Sequence, residues 1–128
     1  MTARDRDMLV DLLQRRAAQH ERHAVYLSGP MSGLPDLNHA AFDDVARDLR
    51  SAGLVVLSPP EIGRSIETNA SYAAFMRADL QALVTHAAVI CRLDGWEESR
   101  GAKLELEVAE CLGLIIVNYA DIGAKTGR

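Results

Sequence analysis

Glu105 lies in Ser99-Arg100-Gly101-Ala102-Lys103-Leu104-Glu105, where a helix starts after an apolar strand. At about 100° per residue, Leu104, Val108, Cys111 and Leu112 share one face of that helix, and Lys103, Glu107 and Glu110 share the opposite face. Glu105 belongs to neither group. It flanks the apolar stripe beside Gly101, at the rim of the expected core and near the carboxyl end of the preceding strand, which is where open α/β sheets bind ligands. Asp79 is the second acid in an unusual place. It projects from the middle of a helical face built of Tyr72, Phe75, Met76, Leu80 and Leu83. Burying an unpaired charge costs several kcal/mol, so Asp79 must be hydrogen-bonded, protonated or directed into a cleft. Two readings stand side by side: a structural acid, or a carboxyl raised by burial into a general acid.

Two acids at the carboxyl edge of one sheet permit a division of labour, one as nucleophile and one as general acid and base, which is the logic of retaining glycosyl transfer. Tyr26, at the end of the first strand, is either a packed core aromatic or a hydrogen-bond donor to the nucleophile. Ser28-Gly29 and Ser99-Arg100-Gly101 set hydroxyls and backbone N–H groups at strand-to-helix turns, where they suit an anion, with Arg100 adding charge. The same small residues also serve chain geometry, and Arg100 also fits a solvated surface. Trp96, in Asp94-Gly95-Trp96-Glu97-Glu98, either stacks on a base or caps the core or an interface. The acidic residues around it read as a solvated turn.

The elements that position these residues follow from periodicity. Met8, Leu9, Leu12, Leu13 and Ala17 recur at helical spacing, so residues 1–22 read as an N-terminal amphipathic helix. Strands are expected at 24–27, 54–57, 88–91 and 114–117. Helices are expected from Asn38, a good N-cap, to Gly53, from about 71 to 85, and from 101 to 112. Ser58-Pro59-Pro60 breaks the second strand, and the polar stretch to about Asn69 reads as an irregular connection. Alternating helices and continuously apolar strands imply a parallel sheet covered on both faces. The expected class is a small doubly wound, flavodoxin- or Rossmann-like α/β domain, with four to five strands in three α/β/α layers. Residues 118–128 then add an edge element or pack against a neighbour.

A chain of 128 residues fits one domain spanning its whole length. With 14 Lys and Arg against 18 Asp and Glu, its net charge of −4 supplies no electrostatic footprint for polymeric DNA or RNA. Cys91 and Cys111 lack the spacing of a zinc site or a disulfide framework and read as buried small hydrophobes. No pair among His20, His23, His39 and His86 has metal-ligand spacing with a carboxylate, so no metal is expected, and no cofactor is implied. Residues 29–33 match neither a dinucleotide fingerprint nor a P-loop. Ser28-Gly29-Pro30 is not a nucleophile elbow either. There is no signal-peptide segment and no apolar run that would span a bilayer, so the expectation is a cytoplasmic protein without membrane contact.

Tyr26-Leu27-Ser28-Gly29-Pro30-Met31, Asp79, Ser99-Arg100-Gly101-Ala102-Lys103-Leu104-Glu105 and Ala109 together resemble the nucleoside 2-deoxyribosyltransferase superfamily, and more closely its small DUF4406 branch. Asn38, Phe42, Gly53, Pro60, Gly95, Trp96 and Gly113 fit the same pattern, which covers the chain from about Ala24 to Val117. The resemblance implies that Glu105 attacks the anomeric carbon, that Asp79 handles the leaving base, and that Tyr26 holds the nucleophile. It implies a substrate-binding set of Ser28, Gly29, Met31, Gly33, Asn38, Gly95, Trp96, Ser99, Arg100, Gly101 and Asn118. Deoxyribosyltransferases usually carry an aspartate where this chain has Ser99. A serine there is similar to the deoxynucleoside 5′-monophosphate N-glycosidases, whose serine helps bind the 5′-phosphate.

That departure favours hydrolysis of a nucleotide over base exchange on a nucleoside, because a hydroxyl can donate to phosphate whereas a second carboxylate would repel it. The expected partner is thus a small nucleotide or nucleoside. Base exchange and a non-catalytic nucleotide-sensing module are the alternatives. The superfamily's members commonly complete each site from a neighbouring subunit, so a homodimer or a higher even oligomer is expected, with Asn118 or Tyr119 as the contributed residue. The apolar stripe of Met8, Leu9, Leu12 and Leu13 points the same way if the small sheet leaves it exposed.

Overall fold

The computed structural model describes residues 3–123. Its sheet has four parallel strands in the order β2-β1-β3-β4: β1 (Ala24–Ser28), β2 (Val56–Leu57), β3 (Ala87–Arg92) and β4 (Ile115–Asn118). Six α-helices of the described residues surround it: α1 (Ala3–Ala18), α2 (His39–Ser51), α3 (Pro59–Arg64), α4 (Tyr72–His86), α5 (Arg100–Cys111) and α6 (Tyr119–Ile122). This is the doubly wound three-layer domain expected from the alternation of elements.

Strand alternation divides the core. Val25, Leu27, Val89, Cys91 and Val117 pack with Leu9 and Leu13 of α1, with Phe42, Val45, Ala46 and Leu49 of α2, and with Ile122 of α6. Tyr26 and Ile90, one residue out of phase, meet Leu83 of α4 and Ala109 of α5 on the other face. The chain leaves β1 for β2 on one side and leaves β3 for β4 on the other. The order in which strands are added therefore reverses between β1 and β3, and the loops after these two parallel strands diverge. Such a switch point opens a crevice at the carboxyl edge.

Several expectations need correction. Most of the expected α5 stripe is turned outward: Leu104 is 41% and Leu112 49% exposed and Cys111 is exposed, whereas Val108 packs against the core as expected and the buried residues are Ala102, Glu105 and Ala109. Small side chains let α5 lie close to the sheet, and the bulkier leucines take the outer side. Cys111 is thus not a buried hydrophobe, whereas Cys91 is. Residues 59–64 form a helix rather than an irregular connection, because two prolines at the start of a helix cost it no hydrogen bond. The second strand is shorter than expected. Within the stripe of α1, Leu9 and Leu13 are buried by the core while Met8 is 65% exposed, so that stripe is largely covered by its own chain. The tail contributes α6 and no fifth strand; residues 124–128 lie outside the described part.

Candidate functional site

Pairing of the strand ends brings the polar residues of the carboxyl edge into one row. Ser28 of β1 is in register with Arg92 of β3, and Arg92 with Asn118 of β4. Tyr26 lies two residues below Ser28, on the same side. All four therefore project toward the face covered by α4 and α5.

Glu105 comes down onto this row from the second turn of α5. Ser99 starts that helix by accepting the Ala102 N–H on its hydroxyl at 3.1 Å. The Glu105 carboxylate is only 5% exposed, and both its oxygens are occupied. Tyr26 Oη donates to Oε2 at 2.6 Å, and Ser28 Oγ donates to Oε1 at 2.7 Å. Both donors are themselves buried, Tyr26 at 0% and Ser28 at 1% exposure. Burial and the nearby carboxylates of Glu105 and Asp79 push the Tyr26 phenol well above its ordinary range, so it keeps its proton and serves as a donor. Burial also raises Glu105, and the two hydroxyl donors work against that shift by solvating the charge.

Asp79 is the opposite case. It stands on α4 between Leu83, fully buried against the sheet, and Met76 and Tyr72 nearer the mouth. Among the described residues no hydrogen bond or ion pair engages its carboxyl. Burial, with the Glu105 charge as the second cause, raises it from the ordinary 3.8 to about 7. The Glu105 charge is one cause of the rise at Asp79, so the two carboxyls are coupled, and of the two only Glu105 has donors to its anion.

The mouth is framed by the start of α5. A Cβ placed on Gly101 would meet Met76 Cε at 3.1 Å and Tyr72 Oη at 3.2 Å, so α4 and α5 converge there. Ser99 Oγ is within 4.0 Å of the same point. Its oxygen already caps the helix, which leaves its proton to donate. The amides of Arg100 and Gly101, in the first turn, precede any intrahelical partner. Arg100 itself is exposed.

Not every expected residue joins this cluster. Met31 packs against the core on the α1–α2 face, away from the acids. Gly33 has φ +81 and open space around it in an exposed loop. Gly29 and Gly95 serve chain geometry: a Cβ on Gly29 would sit 2.9 Å from Leu93 Cβ, and Gly95, at φ +87, would meet Pro30 at 3.1 Å. Asn38 precedes α2 with φ 61 but makes no capping bond; its Nδ2 donates to the Pro30 carbonyl at 3.0 Å and braces the same loop. Ser28 acts on Glu105 directly. Asn118 and Tyr119, expected to serve a neighbour, are engaged within their own chain: Asn118 Oδ1 accepts from Arg92 Nε at 2.9 Å, and Tyr119 Oη donates to Asp48 Oδ2 at 2.7 Å on the opposite face.

Arg92 is a residue of this site that no motif marks, and Tyr72 and Met76, expected only as part of the helical face around Asp79, also border it. Arg92 had a signal, because a charged residue ending an apolar strand lies at the ligand-binding edge. Its guanidinium also stacks over the Trp96 ring, 4.1 Å from the centroid, so one face of the indole is covered by the protein itself.

Among the described residues no group of His, Cys, Asp and Glu is placed to hold a metal ion, and no helix is long and apolar enough to cross a membrane. A cavity of about 690 Å³ lies at the amino-terminal end of the strands, lined by Arg16, His20, Arg22, His23 and His86 among others. The helices α1, α4 and α5 end near it. Basic side chains there offset the negative ends of the helix dipoles, and neither Glu105 nor Asp79 lines the cavity.

The family model of DUF4406, a domain of unknown function, matches residues 23–118. The chain belongs to that family. No curated protein matches its sequence.

Proposed function

We propose that this DUF4406 protein cleaves the N-glycosidic bond of a 2′-deoxynucleoside 5′-monophosphate through a covalent glycosyl-Glu105 intermediate. The observation that carries the reading is the asymmetry of the two acids: Glu105 is held by Tyr26 and Ser28, while the Asp79 carboxyl, pushed up to about 7 by burial, has no hydrogen-bond partner among the described residues.

In the first step a Glu105 carboxylate oxygen forms a bond to C1′ as the bond from C1′ to the base nitrogen breaks. The base leaves with its electron pair and receives the Asp79 proton. In the second step water attacks C1′, Asp79 takes the water proton, and the C1′–Glu105 bond breaks. The products are free base and deoxyribose 5-phosphate, and both acids return to their starting states. Tyr26 and Ser28 keep the nucleophile aimed and ionised. The 5′-phosphate sits at the α5 N-terminus, where the Ser99 hydroxyl and the first-turn amides point outward.

The test is incubation with a panel of nucleosides and 5′-monophosphates, followed by chromatography. The expected result is free base and sugar phosphate from the monophosphates, with none from Glu105→Gln. Base release that needs an acceptor base would replace hydrolysis by base exchange, and no base release from any member would overturn the enzyme reading.

A homodimer is part of the proposal. It is supported by exposed Leu104 on α5, Leu112 at its C-cap and Val84 on α4, the two helices that carry the acids. Sedimentation velocity at micromolar concentration is expected to show a dimer; a single species at the 14.0 kDa monomer mass would refute it.

A further inference from the structure

Arg92 ends β3 in the same row as Ser28, whose hydroxyl touches Glu105. Two contacts fix its guanidinium. Nε donates to Asn118 Oδ1 at 2.9 Å, and the planar group lies over Trp96. Asn118 Nδ2 is in turn directed at Asp121 Oδ2, 3.5 Å away, which holds the amide with its oxygen toward the arginine. The terminal Nη groups, with four N–H donors, have no hydrogen-bond partner among the described residues, and no carboxylate lies within ion-pairing distance of them. A half-buried guanidinium that is braced on one edge and one face, with its donor-rich end unused, is preorganised for a ligand oxyanion.

Its position says which part of a ligand it meets. Asp79 reaches the row from α4, on the side of β1 and Tyr26, and is the group that would protonate a leaving base. The Asn118 bond draws Arg92 the other way, toward β4. A substrate whose C1′ faces Glu105 and whose base lies toward Asp79 then extends its 5′ end toward Arg92 and the Ser99 start of α5, which Trp96 joins, since its ring lies against Arg92 and its carbonyl accepts the Ser99 N–H at 3.0 Å.

We propose that Arg92, braced by Asn118 and Trp96, binds the 5′-phosphate of the substrate and sets the preference for nucleotides over nucleosides. Arg92 is the contacting residue, and Asn118 and Trp96 are positioning residues. This rests on the reading of the site as a nucleotide glycosidase.

The experiment is calorimetric titration of the full chain, carrying Glu105→Gln to stop turnover, with the 2′-deoxynucleoside 5′-monophosphates and their nucleosides. The parent is expected to bind a monophosphate more tightly than its nucleoside. Adding Arg92→Gln should weaken the monophosphate by about 10- to 100-fold and change the nucleoside less than about twofold, because the lost bonds go to a charged group. Asn118→Ala should produce a smaller loss with the same selectivity. An unchanged preference in Arg92→Gln overturns the inference, as does an equal loss for both ligands, which would make Arg92 a support for Trp96. If thermal melting shows that Arg92→Gln does not fold, Arg92→Lys carries the test: it keeps the charge and loses the braced fork, so its preference should fall, and a full preference overturns the inference. A parent that binds nucleosides without favouring monophosphates sinks the role of Arg92 and leaves the acid pair standing. A parent that binds neither sinks the glycosidase reading as well.

Discussion

On the α1–α2–α6 face of the sheet, Asp48 is enclosed by partners: Arg6 Nη2 at 3.2 Å and the Tyr119 hydroxyl at 2.7 Å. Arg6 also reaches the carbonyls of Ile122 and Asp48, so the knot ties α1, α2 and α6 together above a continuous apolar layer. On the α4–α5 face the apolar layer is smaller, and the Asp79 carboxyl beside it has no hydrogen-bond or ion-pair partner among the described residues. The same strands build both faces, since alternate residues go to each. A paired acid holds elements together. An unpaired one, raised by its surroundings, stores a proton at the cost of some stability and is of use only if something enters the cleft.

If that contrast is right, substitutions on the two faces should separate activity from stability. The largest effect is expected from Glu105→Gln, with a loss of base release of about 10³-fold or more and a cooperative melt no lower than wild type, because the variant removes a buried charge and no packing volume. A wild-type rate would end the assignment. Asp79→Asn should cost about 10²-fold or more at pH 7, and most for bases that leave poorly without protonation. Its wild-type rate should decline on the alkaline side with an apparent pKa near 7, as the acid loses its proton. A flat alkaline limb, or equal losses for good and poor leaving groups, would make Asp79 structural.

Asp48→Ala is the counterpart on the other face. Removing the carboxylate that Arg6 and Tyr119 share, which leaves the Tyr119 hydroxyl without its acceptor and Arg6 with only its two carbonyls, should lower stability by about 2–3 kcal/mol in chemical denaturation, with the rate per folded molecule unchanged. A fall in that rate would show that the two faces are coupled. Ser99→Ala should weaken 5′-monophosphates by about 1–3 kcal/mol and barely alter nucleosides. Part of its cost is expected in stability, since the hydroxyl also caps α5.

The smallest effect concerns Asp79 and folding. Its folded pKa of about 7 lies above the ordinary 3.8, so the native state binds more protons than the unfolded chain between those values, and stability falls as pH rises through that window. Asp79→Asn should thus be more stable than wild type at pH 8, by on the order of 1 kcal/mol after screening by water in the cleft, and equal to it near pH 3. Thermal melts at the two pH values check the sign.

Much of this was legible in the sequence because it is local. Runs such as Ala88-Val89-Ile90-Cys91 declare buried strands whatever surrounds them, and Ser71 and Ser99 mark helix starts through bonds to residues three positions away. Glu105 and Asp79 stood out for the same reason, as acids whose own helices offered no solvated face for them. What the sequence could not show depends on which elements meet. The facing side of α5 was set by how closely it lies on the sheet, which selected Ala102 and Ala109 over the larger Leu104 and Leu112. The grip of Ser28 on Glu105 spans 77 residues of chain, and the row of Ser28, Arg92 and Asn118 exists only through strand register. Periodicity fixes an element and its possible faces, but the choice of face and of partner is made by packing between elements distant in sequence, and only tertiary structure decides it.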